Sequence, residues 1–285
     1  MDLDLGRGHV KDVTTRAVVM GILNRTPNSF FDGGQYFGFD EFLAKAEKLV
    51  VEGADFLDVG GIPLKPGDEV GVEEEMERVV PAVAALAERF DLPISIDSFR
   101  AAVAKECFAA GASIGNDTSG FADPEYLEVA AEAGATVIAC HVRLAPRYAD
   151  PDPVYGDLVA DVTSYLEQRA NWALAHGIPR QRIIVDHALD LGKNAAMSVE
   201  LLRRSNEIAA LGYPVLLSAS NKGFLGHLTG APVGERGNVT HSAHALGIAN
   251  GCRILRAHDV VNTRRVAELM SEVLQAKAQR QQVGP

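Results

Sequence analysis

Short apolar runs, several of them β-branched, alternate along this chain with longer stretches whose apolar residues recur at helical spacing. The runs predict strands at 18–23, 56–59, 94–96, 113–114, 136–139, 183–185, 215–217 and 253–255. Continuous apolar runs of this kind suit parallel strands covered on both faces. The longer stretches predict helices at 40–52, 72–89, 101–110, 124–133, 158–176, 198–211, 240–249 and 260–279. Gly or Pro punctuates most helix-to-strand joints, as in GAD at 53–55, GAS at 111–113, GAT at 134–136 and GYP at 212–214. Such residues fit helix ends that turn back into a sheet.

This alternation runs without a break in composition, and the 285 residues suffice for one large barrel. The expectation is a single (β/α)8 TIM barrel over 1–285, with frayed termini at about 1–15 and 277–285. A doubly wound open sheet is the competitor. It is weakened because no G-x-G-x-x-G follows the first strand.

Composition narrows the function classes. A formal net charge of −11 argues against a nucleic-acid binder, which needs a basic face. It still allows a small anionic ligand, because a few converging cations can outweigh the net field locally. No apolar stretch is long enough to span a membrane, and the opening MDLDLGRGHVKD lacks the basic and then apolar regions of a signal peptide. A cytoplasmic protein is therefore expected. Cys107, Cys140 and Cys252 lie far apart, without C-x-x-C spacing, and read as buried thiols.

In a barrel of this kind the residues at strand C-termini converge on one face. Strand by strand they are Asn24, Asp58, Asp97, Asn116, His141, Asp186, Lys222 and the pair Arg256/His258. An Asp or Asn in such a place is often only a helix cap or turn former. The whole set being caps is a much less natural reading. Arg256 and His258 are two residues apart, so an extended backbone would project both to one side as an anion clamp. Asp259 reads as the N-cap of the last helix, whose N–H groups would then also face the anion. Asp97, Asp186 and Asn116 supply the opposite chemistry. They suit a flat heterocycle with amino and ring N–H donors, such as the aminopyrimidinone of a pterin, with Lys222 available to a ring carbonyl or nitrogen.

Several segments resemble the dihydropteroate synthase family: GILNRTPNSFFDGG at 21–34, GADFLDVGG at 53–61, ISID at 94–97, GASIGNDTSG at 111–120, CHVR at 140–143, VD at 185–186, GK at 192–193, SNKGFLG at 220–226 and RAHDV at 256–260. The resemblance spans about residues 18–268 and implies a TIM barrel. It implies an enzyme joining 6-hydroxymethyl-7,8-dihydropterin diphosphate to p-aminobenzoate in folate biosynthesis. By motif, Asp97, Asn116, Asp186 and Lys222 would hold the pterin. Arg256 and His258, with Asn24 through Mg2+, would hold the diphosphate, so that Asn24, Lys222, Arg256 and His258 carry the catalysis. It also implies a homodimer through the last helices, to which the small-residue run at 242–249 adds a motive.

The departures from the family fall on the second-substrate side. Where the family usually reads E-S-T-R-P-G, this chain has Ile62, Pro63, Leu64 and Lys65 before Pro66 and Gly67. Asn28 replaces a usual Asp, Arg25 a small apolar residue, Leu191 an aromatic, and Asn221 and Gly223 a cation and a hydroxyl. Two readings follow: an active synthase with a rebuilt p-aminobenzoate site, or a paralogue with little or no synthase activity that binds pterin or serves another nucleophile. A pterin-binding methyltransferase domain is more distant, because it has no diphosphate to hold.

Overall fold

The computed structural model describes residues 1–26, 38–63, 67 and 69–282, with side chains up to residue 276. Strands β1 (Asp2–Asp4) and β2 (Val10–Asp12) form a short antiparallel pair. There follow β3 (Val18–Asn24), α1 (Phe39–Val51), β4 (Phe56–Gly60), α2 (Val72–Arg89), β5 (Ile94–Asp97), α3 (Ala101–Ala109), β6 (Ile114–Asp117), α4 (Tyr126–Glu132) and β7 (Thr136–Cys140). The chain continues through α5 (Leu158–Ala175), β8 (Ile183–Asp186), α6 (Ala195–Arg203), α7 (Ser205–Ala209), β9 (Val215–Leu217), α8 (Gly223–Thr229), α9 (Gly237–Ala249), β10 (Cys252–Ala257) and α10 (Val260–Gln282). Strands β3 to β10 close into a parallel barrel in sequence order, as the alternation predicts.

The period of two along each strand divides the core. One set of alternate residues faces inward: Val18, Met20, Phe56, Ile114, Ile138, Ile184, Leu216 and Ile254 make one buried cluster. The other set, including Val19, Leu57, Ile96, Val137, Val185 and Leu217, packs with the helices in a second cluster. Two residues further along, the inward positions turn polar at Asp58, Asn116, Asp186, Ser218 and Arg256. The barrel is thus an apolar plug beneath a charged upper layer.

The N-terminus corrects one expectation. Residues 1–15 do not fray: Leu3, Leu5 and Val13 are fully buried and close the bottom of the inner cluster. Arg182 bonds Asp4 at 2.7 Å, and Ser113 Oγ donates to Leu5 O at 2.8 Å. The apolar residues are few and set among charges, but an open barrel end is an apolar surface that needs a cover. At the other end α10 runs to Gln282, past the point at which fraying was expected, and 283–285 lie outside the described residues.

The helix at 198–211 is two helices, broken at Arg204, whose guanidinium bonds both Glu200 and Glu207. Helix α8, absent from the predicted helices, is short and carries Gly223 and Gly226, which weaken a helical pattern. Cys107, Cys140 and Cys252 are free, buried thiols, as expected.

Candidate functional site

Asp58 organises the upper layer. It is completely buried on β4 and accepts four hydrogen bonds. Ser95 Oγ donates to its Oδ1 at 2.6 Å, Asn116 Nδ2 reaches both oxygens at 3.3 Å, and Arg256 Nε donates to Oδ2 at 2.7 Å. Arg256 Nη2 bonds Asp97 Oδ2 at 2.8 Å as well. The guanidinium expected to form an anion clamp with His258 is thus also bridged between two carboxylates. Burial disfavours its charge, but Asp58 and Asp97 more than restore it and hold its pKa above the ordinary value. For Asp97 burial dominates and raises the carboxyl pKa, with Arg256 opposing and Asp58 adding.

Asp186 ends β8 with its carboxylate held by the Ala188 N–H at 2.7 Å. Burial raises its pKa too, against that hydrogen bond and the nearby Lys222 and Lys193. Asp97, Asn116, Asp186, Lys222 and Arg256 all line one narrow cavity of about 30 Å³, together with Leu191. Lys222 makes no side-chain hydrogen bond or ion pair among the described residues, so its ammonium is available to a ligand.

His258 stands just beyond β10 and does not act as an imidazolium here. Burial, then the charges of Arg256, Lys45 and Lys222, push its pKa down to about 3. Ser220 Oγ accepts from the His258 backbone N–H at 3.2 Å and lies 2.9 Å from its Nδ1. That network assigns Nδ1 as acceptor and leaves the proton on Nε2. Asp259 caps α10 as expected, accepting from Asn262 N at 3.2 Å.

Asn24 ends β3 with its Oδ1 3.2 Å from the place a Cβ on Gly60 would take, and Asp97 Oδ2 lies 3.8 Å from the same point. A larger residue at 60 would fill the space these oxygens share. His141, by contrast, turns from the cavity: Lys193 Nζ lies 3.0 Å from its Nδ1.

The family pattern described as a pterin binding enzyme matches residues 20–258. The chain belongs to the pterin binding enzyme family. It is 42% identical over 264 residues to a Mycobacterium leprae protein named inactive dihydropteroate synthase 2, covering 90% of this chain and 91% of that one. Its identity to the dihydropteroate synthase of Bacillus subtilis is 38% over 261 residues, covering 91% and 89%. The Yersinia pestis dihydropteroate synthase, solved in a sulfonamide drug complex, superposes with a TM-score of 0.92 at 35% identity, covering 97% of this chain and 100% of that chain. The chain is a dihydropteroate synthase-like protein with the expected (β/α)8 barrel.

Several pterin-family site features escaped the sequence reading. Ser95 shares a face with Asp97 because it is two residues before it, a parity the sequence displays. Asp58 is the hub, although it read as a possible cap. Lys193 is marked in the sequence only by its place in the GK pair at 192–193. On the second-substrate side, Leu191 lines the cavity, Ile62 and Pro63 are half-buried, and Leu64 and Lys65 lie outside the described residues, as does Asn28. Arg25 donates to Arg78 O at 2.6 Å and stands over the Phe39 ring.

Proposed function

We propose that this chain binds 6-hydroxymethyl-7,8-dihydropterin diphosphate with Mg2+, and transfers the pterin-methyl group to p-aminobenzoate with little or no efficiency. One observation carries the first half. The buried carboxylate of Asp186, the largely buried one of Asp97, the buried amide of Asn116 and the Lys222 ammonium, which has no side-chain partner among the described residues, converge on one small cavity. Asp186 and Asp97 would accept the amino and ring N–H groups of the pterin, and Asn116 and Lys222 would meet its carbonyl and ring nitrogen. Such a polar site discriminates strongly against analogues that leave its groups unpaired.

The diphosphate would lie toward Arg256, His258 and Asn24. A neutral His258 still donates one hydrogen bond from Nε2, and the N-terminus of α10 adds its dipole. The donor set at Asn24 is a single amide oxygen. It fits Mg2+, which keeps several waters and takes phosphate oxygens in preference to an all-protein cage. Bound there, Mg2+ would neutralise charge developing on the leaving diphosphate. The protein's own part is to hold the methylene carbon in line and to supply fixed positive charge.

The second half rests on the losses around p-aminobenzoate. Lys65 is a point charge where a forked guanidinium is usual, and Leu191 offers no aromatic face. The name of the Mycobacterium leprae relative points the same way. The competing reading, an active synthase with a rebuilt site, draws on two guanidiniums: that of Arg25, which donates to Arg78 O, and that of Arg78, which donates to Gly61 O. The double variant Leu64→Thr/Lys65→Arg separates them in a synthase assay. A gain of about ten-fold or more places the defect in the loop, because a bidentate contact contributes charge and orientation. Absent activity with pterin diphosphate still bound makes the chain a non-synthase paralogue.

Two further proposals complete the reading. No helix among the described residues is long and apolar enough to cross a membrane, and a cytoplasmic location fits a folate-type substrate. A homodimer through α9 and α10 would cover Leu246, Leu269 and Val273, which are exposed on those helices.

A further inference from the structure

Between β8 and α6 the backbone takes a shape that residues with a Cβ avoid. Ala188 and Asp190 stand at φ +54° and +66°, and Gly192 follows at +60°. Left-handed backbone persists at such residues only where the surroundings over-determine it. Two anchors do so here. The Asp190 carboxylate accepts from Phe224 N at 3.0 Å, and its own N–H bonds Ser198 Oγ at 3.0 Å. The second anchor is Lys193, whose buried ammonium donates to Ala188 O at 3.0 Å, to Leu191 O at 2.8 Å and to His141 Nδ1 at 3.0 Å.

We propose that Lys193, seated on His141, is a positioning residue that holds the 188–191 wall of the cavity in its ligand-binding shape. Ala188 and Leu191 line the cavity beside Asp186, so their carbonyls are a direct handle on its width. An ammonium has three protons, and all three are used within the protein, unlike those of Lys222. Lys193 therefore acts on the ligand only through the wall. His141 is a fitted seat: its ring meets Tyr165 edge-on at 4.8 Å and lies 6.0 Å from Tyr155, whose hydroxyl donates to Gly192 O at 2.8 Å. Burial pushes the His141 pKa down to about 3, which keeps Nδ1 an acceptor.

The staple responds to pH. Burial lowers the Lys193 pKa to about 8, and the groups facing it are Cys140 on β7, Asp186 on β8, Asp190 in its own loop and Lys222 beyond β9. His141 is faced by Lys193, His187 and, from α5, Arg169. Once the proton is lost, the amine keeps two donors, and neutral hydrogen bonds are roughly half as strong as charge-assisted ones. The wall loosens without being released.

The ligand in this proposal rests on the pterin reading, but the wall can be followed without a ligand. Amide hydrogen exchange of 188–192, corrected for the intrinsic dependence on pH, is measured by mass spectrometry on ligand-free protein well below and well above pH 8. Wild-type protection is expected to fall several-fold across that range. In Lys193→Met it is expected to be low at both pH values, and affinity for 6-hydroxymethyl-7,8-dihydropterin diphosphate to drop about ten-fold. If Lys193→Met fails to fold, His141→Phe removes the acceptor but keeps a ring against Tyr165, and the same loss of protection is expected. Wild-type protection in either folded variant, or a wild-type profile flat across pH 8, overturns the staple. A wild type that binds no pterin diphosphate but shows the exchange pattern overturns the ligand reading and leaves the staple standing.

Discussion

Arg256 and Asp58 are joined by a 2.7 Å hydrogen bond from Nε to Oδ2, between strands β10 and β4, which lie on either side of β3. Asp58 is completely buried and the Arg256 side chain is only 13% exposed, and the second arm of the guanidinium reaches Asp97. Removing Asp58 leaves that guanidinium with Asp97 alone and strips Ser95 and Asn116 of their acceptor, at a cost of about 3 kcal/mol or more. Asp58→Ala is therefore expected to lower the melting temperature by roughly 10 °C in scanning calorimetry. A shift within a degree of wild type would show that the carboxylate does not hold Arg256.

Asp186→Asn tests the pterin contact. The change keeps shape but replaces a two-oxygen acceptor with a group that presents one acceptor and one donor. Losing a charged hydrogen bond and facing donor to donor should weaken pterin diphosphate about 100-fold. Fluorescence titration reads this directly, and an unaltered affinity would remove Asp186 from the site.

Acid should weaken pterin binding while favouring the empty fold through the same carboxyls. Burial raises the pKa values of Asp186 and Asp97 above the ordinary 3.8. A carboxyl raised in the folded state holds its proton better there than in the unfolded chain. Its contribution thus favours folding below the unfolded value and is lost as pH rises through the folded one. Binding has the opposite sign, because the carboxylate is the form that accepts N–H groups. Affinity for the pterin should fall as pH is lowered from neutral toward 4, and a flat binding profile over that range would contradict it.

How much of this was legible in the sequence depended on periodicity. Strands such as β3 and β8 announced themselves as apolar runs ending in Asn24 and Asp186, and the parity of side chains put Arg256 and Asp97 at the inner upper rim. What Arg256 does there was not legible. A guanidinium near a diphosphate site and one bridged by two carboxylates have the same sequence, and only the register of β10, β3 and β4 brings Asp58 to it. The charge state of His258 was hidden for a similar reason, since it follows from burial and from Ser220, 38 residues earlier. The N-terminal plug is not legible because the alternation at 2–5 holds only two leucines and Val13 stands alone, and their partners lie across the whole barrel.

That plug gives a test of its own. Leu5 is completely buried, and truncating a buried leucine costs about 2–5 kcal/mol. Leu5→Ala should lower the melting temperature clearly while leaving pterin affinity unchanged, because the plug lies at the end of the barrel away from the cavity. A melting temperature equal to wild type would restore the frayed terminus.

A dimer through α9 and α10 should give twice the 30.4 kDa chain mass in light scattering at micromolar concentration. Leu246→Glu, on the exposed face of α9, should return the mass to that of one chain. A monomeric wild type would leave those exposed apolar side chains without that partner.

The central claim is a retained pterin diphosphate site with a disabled second half. One calorimetric titration of the wild-type chain with pterin diphosphate and Mg2+, followed in the same cell by p-aminobenzoate, tests it most directly. Saturable heat in the first stage and no sustained heat of turnover in the second is the expected result. Absence of binding heat in the first stage, or turnover at rates ordinary for enzymes in the second, would contradict it.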